Sequence, residues 1–504
     1  MNANIYSVIA GCFPRTAAMP ALIDREGASY TYEDLERETA RLANLLASLG
    51  LKPGDRVAAQ VEKSPQALFL YLAAVRAGMV YLPLNTAYQA HEIGYFLSDA
   101  EPALVVCRPQ AKAWIEPLAD RAGTGHVLTL DEHGRGTLMD AAAGLPADFD
   151  TVEAMEDDLA CIIYTSGTTG RAKGAMLSHR NLSSNGLTLR DYWRFSSSDV
   201  LIHALPLFHV HGLFVAVHCA LLAGACMRFH RRFDPKAVLE DFSRATVLMG
   251  VPTFYTRLLH EPGLTREACR GMRLFVSGSA PLLAETHRAF GERTGHAILE
   301  RYGMSEAGMI TSNPYDGERR PGTVGFPLPG VSVRVADEQD RPLPTGEIGG
   351  IQVKGPNVFL GYWRLPDKTR EEFTADGFFR TGDVGVFSHD GYLSIVGRAK
   401  DLVITGGYNV YPKEVELAID EIPGVLESAV IGVPHPDFGE AVTAVVVRDR
   451  DGAGLTEEAI IQHVKSKLAG YKVPKRVYFV EGLPRNAMGK VQKSVLREMF
   501  SKSD

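Results

Sequence analysis

Cysteine is scarce in this chain and never paired. Its six copies in 504 residues (Cys12, Cys107, Cys161, Cys219, Cys226, Cys269) show no CxxC spacing, which speaks against a zinc ribbon and a disulfide framework alike. No apolar run reaches the length of a membrane span, so no membrane partner is expected. The N-terminus lacks the basic start and long apolar stretch of a secretory signal, Asp24 and Glu26 come early for a transit peptide, and Ser-Lys-Ser-Asp is no peroxisomal address. A reduced, cytoplasmic protein is expected. Excess positive charge is absent too: a net charge of −7 gives no global footprint for nucleic acid, although 465–497 is locally basic. His203, His209, His211 and His218 are irregularly spaced and lack companion ligands, which favours core or pocket roles over a metal site.

What is present is the composition of a globular protein too long for one core, with 45% hydrophobic and 22% charged residues. Thr31 reads as the N-cap of a helix whose Leu35, Leu42, Leu45, Leu46 and Leu49 form one stripe, and Pro53-Gly54 turns the chain into a strand at 56–61. A helix over 65–77 and a strand over 80–84 follow. This is α/β grammar with mostly parallel sheets, and it returns after Ala160 with strands at 245–249 and 274–276. Ligands of such sheets bind at the carboxyl ends of strands. From 322 to 396, short strands and turn signals predict a small barrel-like or β-rich subdomain, and beyond Asp401 a compact βα pattern resumes. The boundary expected at 397–401 gives a large N-terminal domain, 1–399, and a small mobile α+β domain, 400–504.

The apolar run 159–163 leads into Tyr164-Thr165-Ser166-Gly167-Thr168-Thr169-Gly170-Arg171-Ala172-Lys173-Gly174. Hydroxyls, glycines and one lysine after a buried strand suit phosphate oxygens, because glycine lets backbone amides approach an anion closely. Gly167 and Gly170 are too close, and Lys173 lacks a following Ser or Thr, for the P-loop of kinases and GTPases. Taken alone the segment is equally a Ser/Thr/Gly surface turn.

Tyr302-Gly303-Met304-Ser305-Glu306, Thr381-Gly382-Asp383, Gly397-Arg398-Ala399-Lys400-Asp401 and Pro484-Arg485-Asn486-Ala487-Met488-Gly489-Lys490 follow in that order. With the loop they resemble the core motifs of acyl- and aryl-CoA synthetases, peptide-synthetase adenylation domains and luciferases, over essentially the whole chain. The resemblance implies ATP-dependent, AMP-forming activation of a carboxylic acid and transfer to CoA, with Mg²⁺ accompanying ATP. It implies phosphate contacts for Thr165, Ser166, Gly167, Thr168, Thr169, Gly170 and Lys173, and an adenine-side loop at Ser277, Gly278, Ser279 and Ala280. Tyr302, Gly303, Met304 and Ser305 would also line the nucleotide site. Asp383 and Arg398 would hold the ribose, and Glu306 with Thr165 the metal. Ser305 stands where Thr is usual and Ala307 where a second Thr is common; the latter removes a hydroxyl. Lys400 would be the hinge of a domain alternation, and Gly406, Gly407 and Tyr408 would line the pantetheine path.

A carboxylate attacking the α-phosphate brings two anions together, so the barrier is largely electrostatic and a point cation lowers it without any general base. Lys490, on a glycine-flanked loop, suits that role. Acetylation there would remove the charge and act as an off switch. The acid is read from Arg257 and Arg301. If 299–303 is extended, Arg301 shares a face with Gly303 and points toward the acyl site. An arginine in a closed pocket needs an anionic partner, hence a second carboxylate on the substrate. The pattern is most similar to the malonyl-CoA synthetases of that superfamily, with His209 and Ser277 as pocket neighbours and methylmalonate a further candidate substrate. Three alternatives stand: a structural ion pair of Arg301 with Glu300 or Glu306, an adenylating enzyme that loads a carrier-protein thiol, and a silent nucleotide-binding protein. Intact Lys490 and Glu306 argue against the last.

Overall fold

Thr31 caps the helix Tyr32–Ser48 by a capping box with Asp34, and Leu35, Leu42, Leu45 and Leu46 are its buried stripe. The computed structural model describes residues 2–14, 16, 18–165, 172–405, 408–449, 452–486 and 489–501. Packing divides the chain into two units, Met1–Ser332 with Val353–Phe379, and Val333–Gln352 with Arg380–Asp504.

The first unit holds two large sheets. One runs in the order Gly361–Tyr362, Lys173–Ser178, Leu159–Thr165, Val80–Pro83, Arg56–Gln60, Leu104–Cys107, His126–Thr129. Its inner pairs are parallel, and the hairpin of Leu159–Thr165 with Lys173–Ser178 is antiparallel. The other has nine strands, with Val200–His203, Val247–Gly250, Leu274–Ser277 and Leu299–Met304 as a parallel centre. Val247–Gly250 and Leu274–Ser277 are buried end to end, as parallel strands covered on both faces must be. The strand expected to start at 245 starts at Val247, because Ala245 caps the short helical turn Asp241–Arg244. Thr165, Ser277 and Met304 all stand at carboxyl ends of strands, where the grammar put the ligand loops.

In the second unit the β-rich stretch appears as a four-stranded sheet in the order Ser332–Ala336, Gly349–Lys354, Phe379–Phe387, Leu393–Arg398. The intervening Gly361–Tyr362 leaves it to pair with Lys173–Ser178. A five-stranded sheet follows, built on the long antiparallel pair Val425–His435 and Gly439–Arg448. The helices Pro412–Asp420 and Glu457–Lys467 contribute Val415, Ile419, Ile460 and Val464 to its core. The expected boundary at 397–401 lies in this unit, at the short turn Ala399–Asp401. Among the described residues no helix is long and apolar enough to cross a membrane.

One buried cation ties the N-terminal segments together. Arg76 donates to the Tyr6 hydroxyl (3.1 Å), Glu36 O (2.8 Å), Thr39 Oγ1 (3.0 Å) and Phe149 O (2.6 Å). Truncation would strand several buried acceptors at once. Arg76→Ala is therefore expected to destabilise the first unit by about 2–4 kcal/mol, read as a lower denaturation midpoint with unchanged Arg301-dependent ligand stabilisation.

Candidate active site

Strand Leu159–Thr165 is buried nearly throughout and delivers Thr165 directly opposite Lys173 in the antiparallel register. Ser166, Gly167, Thr168, Thr169 and Gly170 lie outside the described residues. Thr165 Oγ1 donates to Glu306 Oε1 at 3.3 Å, and the Tyr362 hydroxyl donates to the same oxygen at 3.2 Å. Glu306 is buried in the turn between strands Leu299–Met304 and Gly308–Ser312. Gly303 permits that turn: a Cβ there would stand 2.2 Å from Gly308 O. The Lys173 ammonium, also buried, sits 4.1 Å over the Tyr362 ring and 3.6 Å from Glu372 Oε1. A carboxylate and a hydroxyl side by side form an oxygen donor set suited to a hard divalent cation that draws its other ligands from phosphates and water. Among the described residues there is no group of three or more His, Cys, Asp or Glu able to hold a metal.

Arg301 lies on the strand Leu299–Met304, extended as expected, and is 3% exposed. Its Nε and Nη2 have no hydrogen-bond partner, and no carboxylate among the described residues forms an ion pair with it. Burial drives the guanidinium down to about 9, against weaker support from Tyr255 and Glu300. Neither structural ion pair is formed: Glu300 Oε1 accepts from Leu282 N at 3.1 Å, and Glu306 is engaged as described. Gly278 makes room for the guanidinium, since a Cβ there would stand 2.4 Å from Arg301 Cζ.

The neighbouring loop is polar, buried and under-satisfied. Ser277 Oγ and His211 Nε2 lack partners, and Ser279 holds a left-handed φ of 72° with its hydroxyl 3.2 Å from His211 Nδ1. Burial, then Arg301 and His209, push the His211 imidazole far below its ordinary range, so it is neutral. His211 opens a π-helical turn, His211–Ala216, a distortion frequent at functional sites. His209 accepts from His211 N at 3.2 Å through its Nδ1. Arg257 is not gathered here. It is exposed on the helix Pro252–Leu259, whereas Tyr255 of that helix is buried and donates to Val276 O at 2.6 Å. Tyr362, Glu372 and His211 were not assigned to the site from sequence; no motif flagged the first two, and His211 was noted only as a generic core or pocket histidine.

In the second unit, register places Asp383 opposite Arg398, and Arg398 Nε lies 2.6 Å from Asp383 Oδ1. Thr381 orders the carboxylate's backbone through a 3.1 Å bond from Asp383 N. Lys490 stands on a tight turn closed by Asn486 N to Lys490 O (2.9 Å) and Lys490 N to Asn486 Oδ1 (3.0 Å), with Arg485 donating to Gly489 O at 2.5 Å. Its side chain keeps contact with solvent. Even so, desolvation by surrounding protein and then the cations Arg398 and Lys400 pull the ammonium down to about 8, with Asp383 and Asp401 opposing. Lys400 is exposed in the turn Ala399–Asp401. Gly406 and Gly407 lie outside the described residues, and Tyr408, 58% exposed, stacks on Tyr471 at 4.7 Å.

A buried charge without a partner is a liability to the empty fold. Arg301→Met is expected to raise the stability of the ligand-free protein by about 1–4 kcal/mol. A small dicarboxylate should raise the melting temperature of the wild type and leave that of the variant unmoved.

A family model described as AMP-binding enzyme matches residues 12–363, and one described as AMP-binding enzyme C-terminal domain matches residues 414–490. The crystal structure of ATP-bound MatB from Rhodopseudomonas palustris is 59% identical and covers 100% of this chain and 99% of its own, with a TM-score of 0.97. A feruloyl-CoA synthase from Amycolatopsis sp is 37% identical over 478 residues, 94% of each chain. A malonate–CoA ligase from Arabidopsis thaliana is 33% identical over 528 residues, 96% of this chain and 86% of that one. The family models alone span most of the chain, in the order of the motifs, and the chain belongs to the AMP-binding enzyme family.

Proposed function

We propose that the protein is an ATP-dependent, AMP-forming acid–thiol ligase that converts malonate, ATP and CoA into malonyl-CoA, AMP and pyrophosphate. The observation that carries this reading is Arg301, a buried guanidinium with two unpartnered nitrogens beside the unpartnered Ser277 hydroxyl. Such a group is completed by an anion on the substrate other than the reacting carboxylate. The similarity of nearly this whole chain to a malonate–CoA ligase of Arabidopsis thaliana supports the choice of malonate.

In the first step a malonate carboxylate oxygen attacks the α-phosphorus, the bond to the bridging oxygen breaks, and pyrophosphate leaves with the electron pair. Arg301 holds the distal carboxylate, so the proximal one is presented without rotational search. Neutral His211 adds no charge that would compete with Arg301 for the acid. Thr165 and Glu306 would hold Mg²⁺, which neutralises triphosphate charge when bound with ATP. Lys173 faces the phosphates, Asp383 the ribose hydroxyls, and Lys490 the charge that gathers between acyl oxygen and α-phosphate. In the second step the CoA thiol, giving up its proton, attacks the malonyl carbonyl and AMP departs. We assign the swivel between steps to Lys400, at a 399/400 domain boundary, and the thiol path to Gly406, Gly407 and Tyr408. The Tyr408–Tyr471 stack offers an aromatic surface suited to a nucleotide-bearing thiol. The exposure of Lys490 fits regulation by acetylation, and the free cysteines fit a reducing cytoplasm.

A panel of acids assayed for CoA-thioester and pyrophosphate tests the reading. Malonate should lead acetate and butyrate by a wide margin, and methylmalonate belongs in the panel because one methyl group is worth only about 1–3 kcal/mol. Arg301→Leu should lower malonate turnover by about 2–5 kcal/mol, tens- to thousands-fold, while monocarboxylates hold or gain. A wild type that prefers a monocarboxylate would overturn malonate and leave the ligase class standing. Equal turnover with a phosphopantetheinylated carrier in place of CoA would point to the carrier-loading alternative.

Lys490→Ala should nearly abolish malonyl-AMP formation and spare transfer from supplied malonyl-AMP to CoA; parallel loss of both half-reactions would refute this division of labour. Because the lysine titrates near 8 in the free protein, its charge is present below that pH and lost above it. Adenylation kcat/KM for ATP should therefore fall as pH rises through about 8, since this parameter reports the free enzyme. In Lys490→Arg the alkaline limb should vanish, from a lower plateau.

A further inference from the structure

Lys173 and Glu306 come from different segments, yet one side chain touches both. Tyr362 is buried, its ring lies 4.1 Å below the Lys173 ammonium, and its hydroxyl donates to Glu306 Oε1 at 3.2 Å. Its backbone is fixed independently of either contact. Strand Gly361–Tyr362 pairs with the strand that begins at Lys173, setting Tyr362 opposite Ala175, and Trp363 N donates to Gly174 O at 2.7 Å. Tyr362 N in turn donates to Thr369 Oγ1 at 2.9 Å. The tyrosine is thus a fixed post against which two charged side chains rest.

Among the described residues Glu372 is the only ion-pair partner of Lys173, and at 3.6 Å that contact is too long to set the direction of the ammonium. The ring face supplies the nearer constraint, and a desolvated cation over a tyrosine is held by the ring quadrupole. At Glu306, Thr165 and Tyr362 donate to one and the same oxygen, which fixes the rotation of the carboxylate. Resting on the adenylation reading above, we infer that Tyr362 is a positioning residue with two separable tasks. Its ring stations Lys173 for the β- and γ-phosphates, and its hydroxyl orients Glu306 for the chemical step.

The separation is testable because phenylalanine keeps the ring and loses the hydroxyl, while Leu and Met lose both. ATP and AMP affinities are measured by calorimetry without any acid, and adenylation is followed by pyrophosphate release at saturating ATP. Y362F should bind ATP within twofold of the wild type and show kcat reduced tenfold or more. Y362L and Y362M should bind ATP about 3- to 30-fold more weakly and AMP as the wild type does, because AMP lacks the phosphates that Lys173 meets. Wild-type kcat in Y362F, or wild-type ATP affinity in Y362L and Y362M, overturns the inference. Equal weakening of ATP and AMP marks Tyr362 as a fold element only, and overturns it as well. The ATP-to-AMP contrast needs no acid, so a failure of malonate as substrate is distinguishable from a failure of this assignment.

Discussion

The buried charge of Arg301 is the constraint on which the proposed acyl site is built. Holding a guanidinium in the interior without a carboxylate costs several kcal/mol in any fold, and here that cost is set by a rigid frame. The strand Leu299–Met304 lies between Leu274–Ser277 and Gly308–Ser312, and the backbone at Arg301 is held by its pairing with Ser312. Gly278 keeps the space against it clear, and Glu300, its neighbour in sequence, is turned away to Leu282 N. The frame therefore presents a positive group shielded from bulk solvent. Only an anion of the right reach restores what desolvation removed, which is why such a site selects by charge before it selects by shape.

Selection by a few side chains fits the company the chain keeps. The feruloyl-CoA synthase shares 37% identity along nearly its whole length, yet it is named for a different acid. Relatives this similar that differ in their acid would have to make the choice locally, and function in such scaffolds lives in the grafted site. Arg301 enters on the strand just before the Tyr302–Glu306 turn, so in the proposed reading a single residue would join the acid pocket to the phosphate-side carboxylate.

Sequence logic reached those parts of the site that depend on local periodicity. Thr31 was legible as a cap because Asp34 stands three residues on. Arg301 was legible because alternation along an extended segment sets its face. Arg257 shows the limit of a linear reading. The segment after Pro252 is helical, and with Tyr255 and Leu258 turned inward at a spacing of three, the residue two after Tyr255 is rotated to the far side. Tyr362 was not legible at all, since its partners Lys173 and Glu306 are 189 and 56 positions away and meet it only through the pairing of Gly361–Tyr362 with Lys173–Ser178. The π-helical turn at His211 was equally hidden, because it follows from Gly212, where a Cβ would stand 2.0 Å from Pro206 O, and from no periodic signal.

The same electrostatic logic recurs in the second unit with the sign of exposure reversed. Lys490 is not sealed in; it stands in reach of solvent beside Arg398 and Lys400, two cations that make its own proton easier to lose. A lysine so placed gains more from an arriving phosphate than an isolated one does, because the anion relieves repulsion among three positive groups at once. It also gains more from departing when that phosphate goes. A charge that an arriving anion stabilises further is suited to one step of a two-step reaction, and in the proposed reading removing it by acylation would relieve the repulsion permanently while leaving the Asp383–Arg398 pair intact. Nucleotide would then still be held, and only the step that needs the lysine's charge would stop.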